Sequence, residues 1–273
     1  MQYLDIQERY QRNVLVEGIG IEGQAKLSAS KVLVIGAGGL GSPVLFYLAA
    51  AGVGTIGIVD DDVVNRTNLQ RQILHFTNDI GRRKINSAEQ KIAALNPDVE
   101  IITYQYRFTE QNAQKIIDGS FESDNEYKEQ QNTCINPYCE GKNLAGGYDF
   151  VVDCCDNYAT KLLINDVCVQ MGKPFSHGAV VAMRGEVMTY VPGSACYRCV
   201  FDAPPQDGLL PTSSQVGILG AVAGIVGSIQ ATETIKYISG MNDLIVNRIM
   251  IIDTKAMNFF SLKVKKSNAC ICG

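Results

Sequence analysis

Short β-branched runs alternate along this chain with longer segments whose apolar residues recur every three or four positions, the pattern of an α/β fold. Val32-Leu33-Val34-Ile35 is continuously apolar, which predicts a strand buried on both faces. The glycine-rich stretch Gly36–Gly41 then hands over to a helix, Val44–Ala51, that stops at Gly52; a second strand, Ile56–Val59, ends on Asp60. Ser42 is placed to cap that helix and Pro43 to sit at its first position, where a missing N–H costs nothing. A further helix runs from about Arg82 to Leu95, with Ile85, Ala88, Ile92 and Leu95 on one face and Pro97 just beyond its end.

Val99–Thr103 reads as a strand, and Thr109 as the cap of a helix that fades by Gly119. Phe150–Asp153 is a strand that runs through CCDN into a helix, Tyr158–Met171. Pro174–Val181 follows as a strand and Gly185–Val191 as its antiparallel partner. Gly217–Ile238 predicts one long helix whose small residues permit close packing, and strands Arg248–Asp253 and Phe259–Val264 close the chain. The first thirty residues read as helical, with apolar spacing at Leu4, Val14 and Leu15 ahead of the glycine-rich GIGIEGQ. They precede the first strand and lie outside the alternating strand–helix fold, where they could reach over it or over a neighbour. Residues 120–147 are polar and aperiodic and read as an inserted loop, since a strand of the same kind resumes after them. The expected fold is a Rossmann-like, doubly wound and mostly parallel sheet with an antiparallel C-terminal extension, one domain over residues 1–273.

Composition narrows the context. With 46% hydrophobic and 19% charged residues, the 273-residue chain is an ordinary globular protein with a sizeable core. A net charge of −4 gives no reason to expect nucleic acid or an anionic membrane as partner. The polar N-terminus reads as no signal peptide, and the longest apolar stretch, Val216–Ile229, is too short to span a bilayer. Nine cysteines without a secretory signal point to a reducing cytoplasm, where metal ligation outweighs a disulfide framework.

Gly36-Ala37-Gly38-Gly39-Leu40-Gly41 contains Gly-x-Gly-x-x-Gly where a strand hands over to a helix. Glycines let backbone approach a phosphate, free N–H groups at a helix start favour negative charge, and Asp60 ends the next strand where ribose hydroxyls would lie. Alone, this motif favours a dinucleotide oxidoreductase using NAD(P). Asn68 and Arg71 follow Asp60 in the next loop, Lys84 opens the next helix, and Asp156 follows a strand end. Cations around phosphate oxygens and a carboxylate for magnesium suit a triphosphate better than a pyrophosphate. Taken singly, Arg71 and Lys84 could be solvated surface charges, and Asp156 could merely cap the helix at Tyr158.

The succession GAGGLGS, DDDVVNRTNLQRQ, GRRKINSAEQKIAALNP, DCCDN, CYRC and GILGAVAGIVGSIQATETIK resembles the ThiF/MoeB/HesA family of adenylyltransferases, which look like the ubiquitin-activating enzyme. The resemblance runs from about Arg9 to the C-terminus, apart from the insertion. It implies ATP and magnesium, and adenylation of the C-terminal glycine carboxylate of a ubiquitin-like sulfur-carrier protein with release of pyrophosphate. Carried over residue by residue, Gly36, Gly38, Gly39 and Gly41 would line the nucleotide and Asp60 would hold the ribose, with Asp62 of the same acidic run among the nucleotide contacts. Asn68, Arg71 and Lys84 would grip the phosphates, and Asp156 would place magnesium. Arg12 matches an arginine that family members extend into the partner subunit's site, which implies a homodimer. A nucleotide-binding scaffold without catalysis is the remaining alternative, and thiamin, molybdopterin and other sulfur pathways all stay open.

Cys196-Tyr197-Arg198-Cys199 has the spacing of a zinc knuckle, and Cys270 and Cys272 could complete a four-thiolate site that tethers the C-terminal tail. The family's second pair is Cys-x-x-Cys; here it is Cys-x-Cys, with Ala269 where the earlier cysteine would stand. Some relatives carry a reactive cysteine between the CYRC motif and the long helix, but DAPPQDGLLPTSSQVG holds none, and Ser213 falls at about its place. Activation is therefore expected to stop at the acyl-adenylate. Cys134 and Cys139 read as loop cysteines of no special role, with a sulfur relay or a second metal pair as the alternatives, Cys154, Cys155 and Cys168 as core, and His75 and His177 as structural.

Overall fold

The structure is a computed structural model that describes residues 2–121, 144, 146–203 and 213–273. Most of the 120–147 segment, including Cys134 and Cys139, lies outside the described residues. Eight strands form one mixed sheet in the order β3-β2-β1-β4-β5-β6-β7-β8. Strands β1 (Lys31–Ile35), β2 (Thr55–Val59), β3 (Glu100–Tyr104), β4 (Phe150–Asp153) and β5 (Phe175–Val181) run parallel. Strands β6 (Arg184–Tyr190), β7 (Arg248–Asp253) and β8 (Asn258–Lys263) continue the sheet antiparallel. The expected doubly wound sheet with its antiparallel extension is therefore what forms.

The helices are α1 (Gln2–Val14), α2 (Gly20–Ala29), α3 (Gly41–Ala51), α4 (Lys84–Leu95), α5 (Ala113–Ile117), α6 (Tyr158–Gln170), α7 (Ser213–Val216) and α8 (Gly220–Ser239). They cover both sheet faces, and the two-residue period of β1 divides its side chains between them. Val32 and Val34 pack with Leu45 and Leu48 of α3, Ile85 of α4 and Val226 of α8. Leu33 and Ile35 pack with Leu162 and Ile164 of α6 and Ile116 of α5. This two-sided burial is why the parallel strands read as unbroken apolar runs. No helix among the described residues is long and apolar enough to cross a membrane.

Several local expectations are corrected. Helix α3 starts at Gly41 with Leu40 as N-cap, so Ser42 is inside it and its hydroxyl donates back to the Gly38 carbonyl. Pro43 is accordingly the third residue of the helix. Thr109 does not cap α5, whose N-cap is Asn112; the Asn112 Oδ1 instead accepts from the Thr109 N–H. The helix expected from Arg82 begins at Lys84. The long helix expected from Gly217 forms but begins at Gly220: Gly217 takes φ +78° and Ile218 bridges to Ala182, which also separates it from the short helix α7 before it. The GIGIEGQ stretch is mostly the start of α2, and Leu15 is 71% exposed and outside any apolar face.

Candidate active site and cysteine cluster

The chain leaves β1 toward β2 and β3 on one side and returns through β4 and β5 on the other. That reversal opens a crevice at the carboxyl ends of β1 and β4, where open α/β sheets bind ligands. Ile35 pairs with Asp153 across it, so the glycine turn and the DCCDN loop leave the sheet side by side. Gly36 has φ +102°, and a Cβ there would lie 2.7 Å from the Cys154 carbonyl oxygen; one on Gly41 would lie 1.9 Å from the Gly36 carbonyl oxygen. Those two glycines are demanded by the fold itself. A Cβ on Gly38 or Gly39 would meet side chains no nearer than 3.4 Å. A Cβ at either middle glycine would therefore make only ordinary contact, with Gln72 beside Gly38 and with Arg71 and Ala223 beside Gly39, so the packing of the turn does not by itself demand those two glycines.

Asp60 stands just past β2 with both oxygens engaged. The Ala37 N–H donates to Oδ2 at 2.8 Å and the Asp62 N–H to Oδ1 at 2.9 Å. Burial raises its carboxyl above the ordinary value, against the lowering effect of Lys84 and of the two N–H donors. Lys84 is not a solvated surface charge. It is 5% exposed, and its Nζ lies 2.8 Å from Asp62 Oδ2 and 4.0 Å from Asp60 Oδ1. Asp62 itself is mostly solvent-exposed.

The loop after β2 supplies the second cation. Asn68 Oδ1 accepts from the Asn65 N–H and closes a short turn of 3-10 helix, Arg66–Asn68. Arg71 follows, its Nη1 donating to the Thr67 carbonyl at 3.1 Å and its stem alongside Gly39. Gln72 is buried against Gly38, and its Oε1 has no hydrogen-bond partner among the described residues. His75 is buried too, with Nε2 2.9 Å from the Ala37 carbonyl and Nδ1 2.9 Å from Ser87 Oγ on α4. Gly36, Gly38, Gly39, Gly41, Asp60, Asp62, Arg71 and Lys84 thus converge at one edge of the sheet.

On the β4 side, Asn157 caps α6, its Oδ1 accepting from the Thr160 N–H. Asp156 therefore has no capping duty, and it is exposed with no polar partner among the described residues. Below it sits a buried ionic cluster that sequence reasoning missed. Lys161 Nζ reaches Asp153 Oδ2 at 3.1 Å and the Gly178 carbonyl at 2.7 Å, while His177 Nδ1 lies 2.8 Å from Asp153 Oδ2. Burial would raise the Asp153 carboxyl, but Lys161 and His177 together hold it below the ordinary value. Asp153 Oδ1 in turn accepts the Cys155 N–H, fixing the start of the loop that carries Asp156. The available signal was an acid ending an apolar strand with a lysine eight residues on, about one turn into the next helix.

Arg12 is exposed near the end of α1, away from this edge. Arg9 donates to the Leu95 carbonyl and Asn96 donates to the Tyr10 hydroxyl, anchoring α1 at the far ends of α3 and α4. Since α3 begins at the glycine turn and spans 11 residues, that anchor is about 16 Å from the site along the helix axis.

Cys196, Cys199, Cys270 and Cys272 bring four Sγ atoms within 4.8 Å of one another, with 3.4 Å between Cys196 and Cys270 and 3.5 Å between Cys199 and Cys272. Four thiolates at about 2.3 Å from one ion in a tetrahedron lie just under 4 Å apart, so the donor set suits zinc despite the Cys-x-Cys spacing. Cys154 and Cys168 are buried and Cys155 nearly so, and burial raises all three thiols, which makes them inert packing groups.

A model of the ThiF family matches residues 10–272. The chain is 38% identical over 267 residues to the SAMP-activating enzyme E1 of Haloferax volcanii, covering 97% of this chain and 88% of that protein. It is 36% identical over 273 residues to the sulfur carrier protein adenylyltransferase of Thermus thermophilus, covering 97% and 90%. The adenylyltransferase and sulfurtransferase MOCS3 of Aedes aegypti is 37% identical, and this chain spans 55% of its length. Among solved structures, E. coli MccB with succinimide superimposes at a TM-score of 0.75 and 21% identity, covering 97% of this chain and 74% of that one, a likeness of fold.

Proposed function

This chain belongs to the ThiF family, and from that premise we propose that it uses ATP to adenylate the C-terminal glycine carboxylate of a ubiquitin-like sulfur-carrier protein. The observation that carries the reading is the pair of cations at the glycine turn, Lys84 buried beside two acids and Arg71 laid along Gly39. The carrier carboxylate attacks the α-phosphorus, a C–O–P bond forms, and the bond to the β-phosphate oxygen breaks to release pyrophosphate. Two anions must approach, so the protein's work is alignment and cationic stabilisation, and no side chain acts as nucleophile.

In this reading Asp60 accepts the ribose hydroxyls, and the backbone N–H groups of the glycine turn take the phosphates. Asn68, Arg71 and Lys84 neutralise phosphate oxygens. Asp156, exposed and free of a capping role, would hold magnesium, which would supply positive charge to offset that of the phosphates. Arg12 would complete the site of a second copy, because α1 is anchored at the far end of its own α3; the working unit is then a homodimer. Cys196, Cys199, Cys270 and Cys272 would hold a structural zinc that ties the C-terminal segment to the fold. With no thiol in the stretch before α7, turnover ends at the acyl-adenylate and sulfur comes from another protein.

Carrier-dependent exchange of labelled pyrophosphate into ATP, with detection of the acyl-adenylate by mass, tests the reading. Exchange that requires an intact carrier C-terminus supports it. Tight binding of NAD in place of ATP, or ATP binding with no exchange for any carrier, would remove it.

A further inference from the structure

We infer that His75 is a positioning residue for adenylyl transfer: it grips the Ala37 carbonyl and thereby aims the Gly38 N–H at the phosphate to be attacked. The inference rests on the adenylyltransferase reading of this site. A trans peptide sets its C=O and its following N–H in opposite directions, and no cis peptide is present among the described residues. Fixing the Ala37 oxygen on one side therefore fixes where the Gly38 hydrogen points on the other. The Gly38 N–H has no acceptor among the described residues, although the Gln72 side chain lies beside Gly38.

The grip has one working arrangement. The Ala37 carbonyl can only accept, so His75 Nε2 carries the hydrogen and donates at 2.9 Å. Nδ1 is then the acceptor and takes the Ser87 hydroxyl hydrogen, also at 2.9 Å. Ser87 Oγ is free to give that hydrogen because it accepts from Lys91 Nζ at 3.0 Å. Lys91 is in turn paired with Asp79. Burial lowers the His75 pKa, keeping the imidazole in the neutral form that this chain of bonds requires. The other peptide face of Ala37 is tied by its N–H to Asp60. One residue of the turn is thus held from both sides, by the proposed ribose acid and by a helix that also carries Lys84.

Two amide substitutions of different reach separate positioning from general support. In His75→Gln the side-chain amide nitrogen reaches the place of Nε2 and can still donate to Ala37. In His75→Asn the amide reaches only the place of Nδ1, so it can meet Ser87 but leaves the Ala37 carbonyl ungripped. The expected result is that His75→Gln exchanges pyrophosphate within a few-fold of the unmodified protein. His75→Asn should fall by roughly 10- to 100-fold in kcat, the scale of a misaimed catalytic group, with ATP affinity changed much less. Thermal melts of both variants separate a folding loss from a chemical one. Equal rates for His75→Asn and His75→Gln in folded protein, or a loss confined to ATP affinity, would overturn the role of His75 while leaving the adenylyltransferase reading intact. An unmodified protein without exchange would remove both.

Discussion

Replacing Lys84 with methionine isolates the charge that the proposed mechanism needs most, because the methionine stem keeps most of the packing volume. Two free energies change, and the structure separates them. For folding, Asp62 is mostly exposed and simply rehydrates when its partner goes. Asp60 cannot rehydrate, but it keeps N–H bonds from Ala37 and Asp62, and its separation from Lys84 is already 4.0 Å. The stability loss should therefore be about 1–2 kcal/mol, below the 3–5 kcal/mol typical of breaking a close buried pair. For catalysis, a preorganised donor to developing phosphate charge is worth about 2.7–4 kcal/mol, so exchange should fall by about a hundredfold or more. Denaturant melts and carrier-dependent pyrophosphate exchange measure the two effects on one preparation. A variant that exchanges at the normal rate would take Lys84 out of the mechanism, whatever its melting curve shows.

Arg71→Ala should lower exchange on a similar scale of about a hundredfold, with little change in stability since its only side-chain hydrogen bond among the described residues is to the Thr67 carbonyl. If Arg12 acts across a dimer, Arg12→Ala and Arg71→Ala are each inactive alone and regain activity when mixed; failure of mixing to restore any exchange refutes the shared site. Metal analysis should find zinc bound by Cys196, Cys199, Cys270 and Cys272, and chelation should lower the melting temperature; metal-free protein with freely titrating thiols would refute it. Asp79 is worked from its surroundings: burial would raise its carboxyl, but the Lys91 bond and the Phe76 N–H bring it down to about 2 from 3.8. The folded form is thus the weaker proton binder, and Asp79 contributes about 2 kcal/mol that is complete above pH 3.8 and lost as pH falls toward 2. Urea melts across that range should show this acid slope and lose it in Asp79→Asn.

Much of the architecture is legible in the chain because strand burial and strand sequence are the same fact here. The four apolar residues of β1 and those of β4 have no polar position to accommodate, so no other element suits them. Helix starts were harder. Ser42 and Thr109 look like caps by type, but the glycine turn lets α3 begin two residues early, at Gly41 with Leu40 as its cap, and a local Asn112–Thr109 bond shifts α5. The later start of α8 was hidden too, since only the bridge from Ile218 to Ala182 shows why the chain is not yet helical after Gly217. The candidate site was legible as a set of residues following strand ends. Its electrostatics was not, because the burial of Lys84 depends on α4 starting at that residue and on the Lys84 N–H bonding the Asp62 carbonyl.

The two cations at the turn stand in different situations, and the difference bears on how a triphosphate would enter. Lys84 already has a carboxylate at 2.8 Å, while the Arg71 bond recorded here is to a neutral carbonyl. A phosphate reaching Arg71 displaces little, so Arg71 is the better first contact. A phosphate reaching Lys84 must compete with Asp62, which is exposed and can swing into water, whereas Asp60 is held by two N–H groups and stays. The exchange of Asp62 for phosphate on Lys84 would therefore leave one acid behind, and that acid is the one proposed to hold the ribose. Neutralising Asp62 as Asn should strengthen ATP binding at Lys84 if this competition is real, while Asp60→Asn should weaken it by removing the ribose acceptor. If both substitutions shift ATP affinity in the same direction, the two acids share one role and this ordering of contacts is wrong.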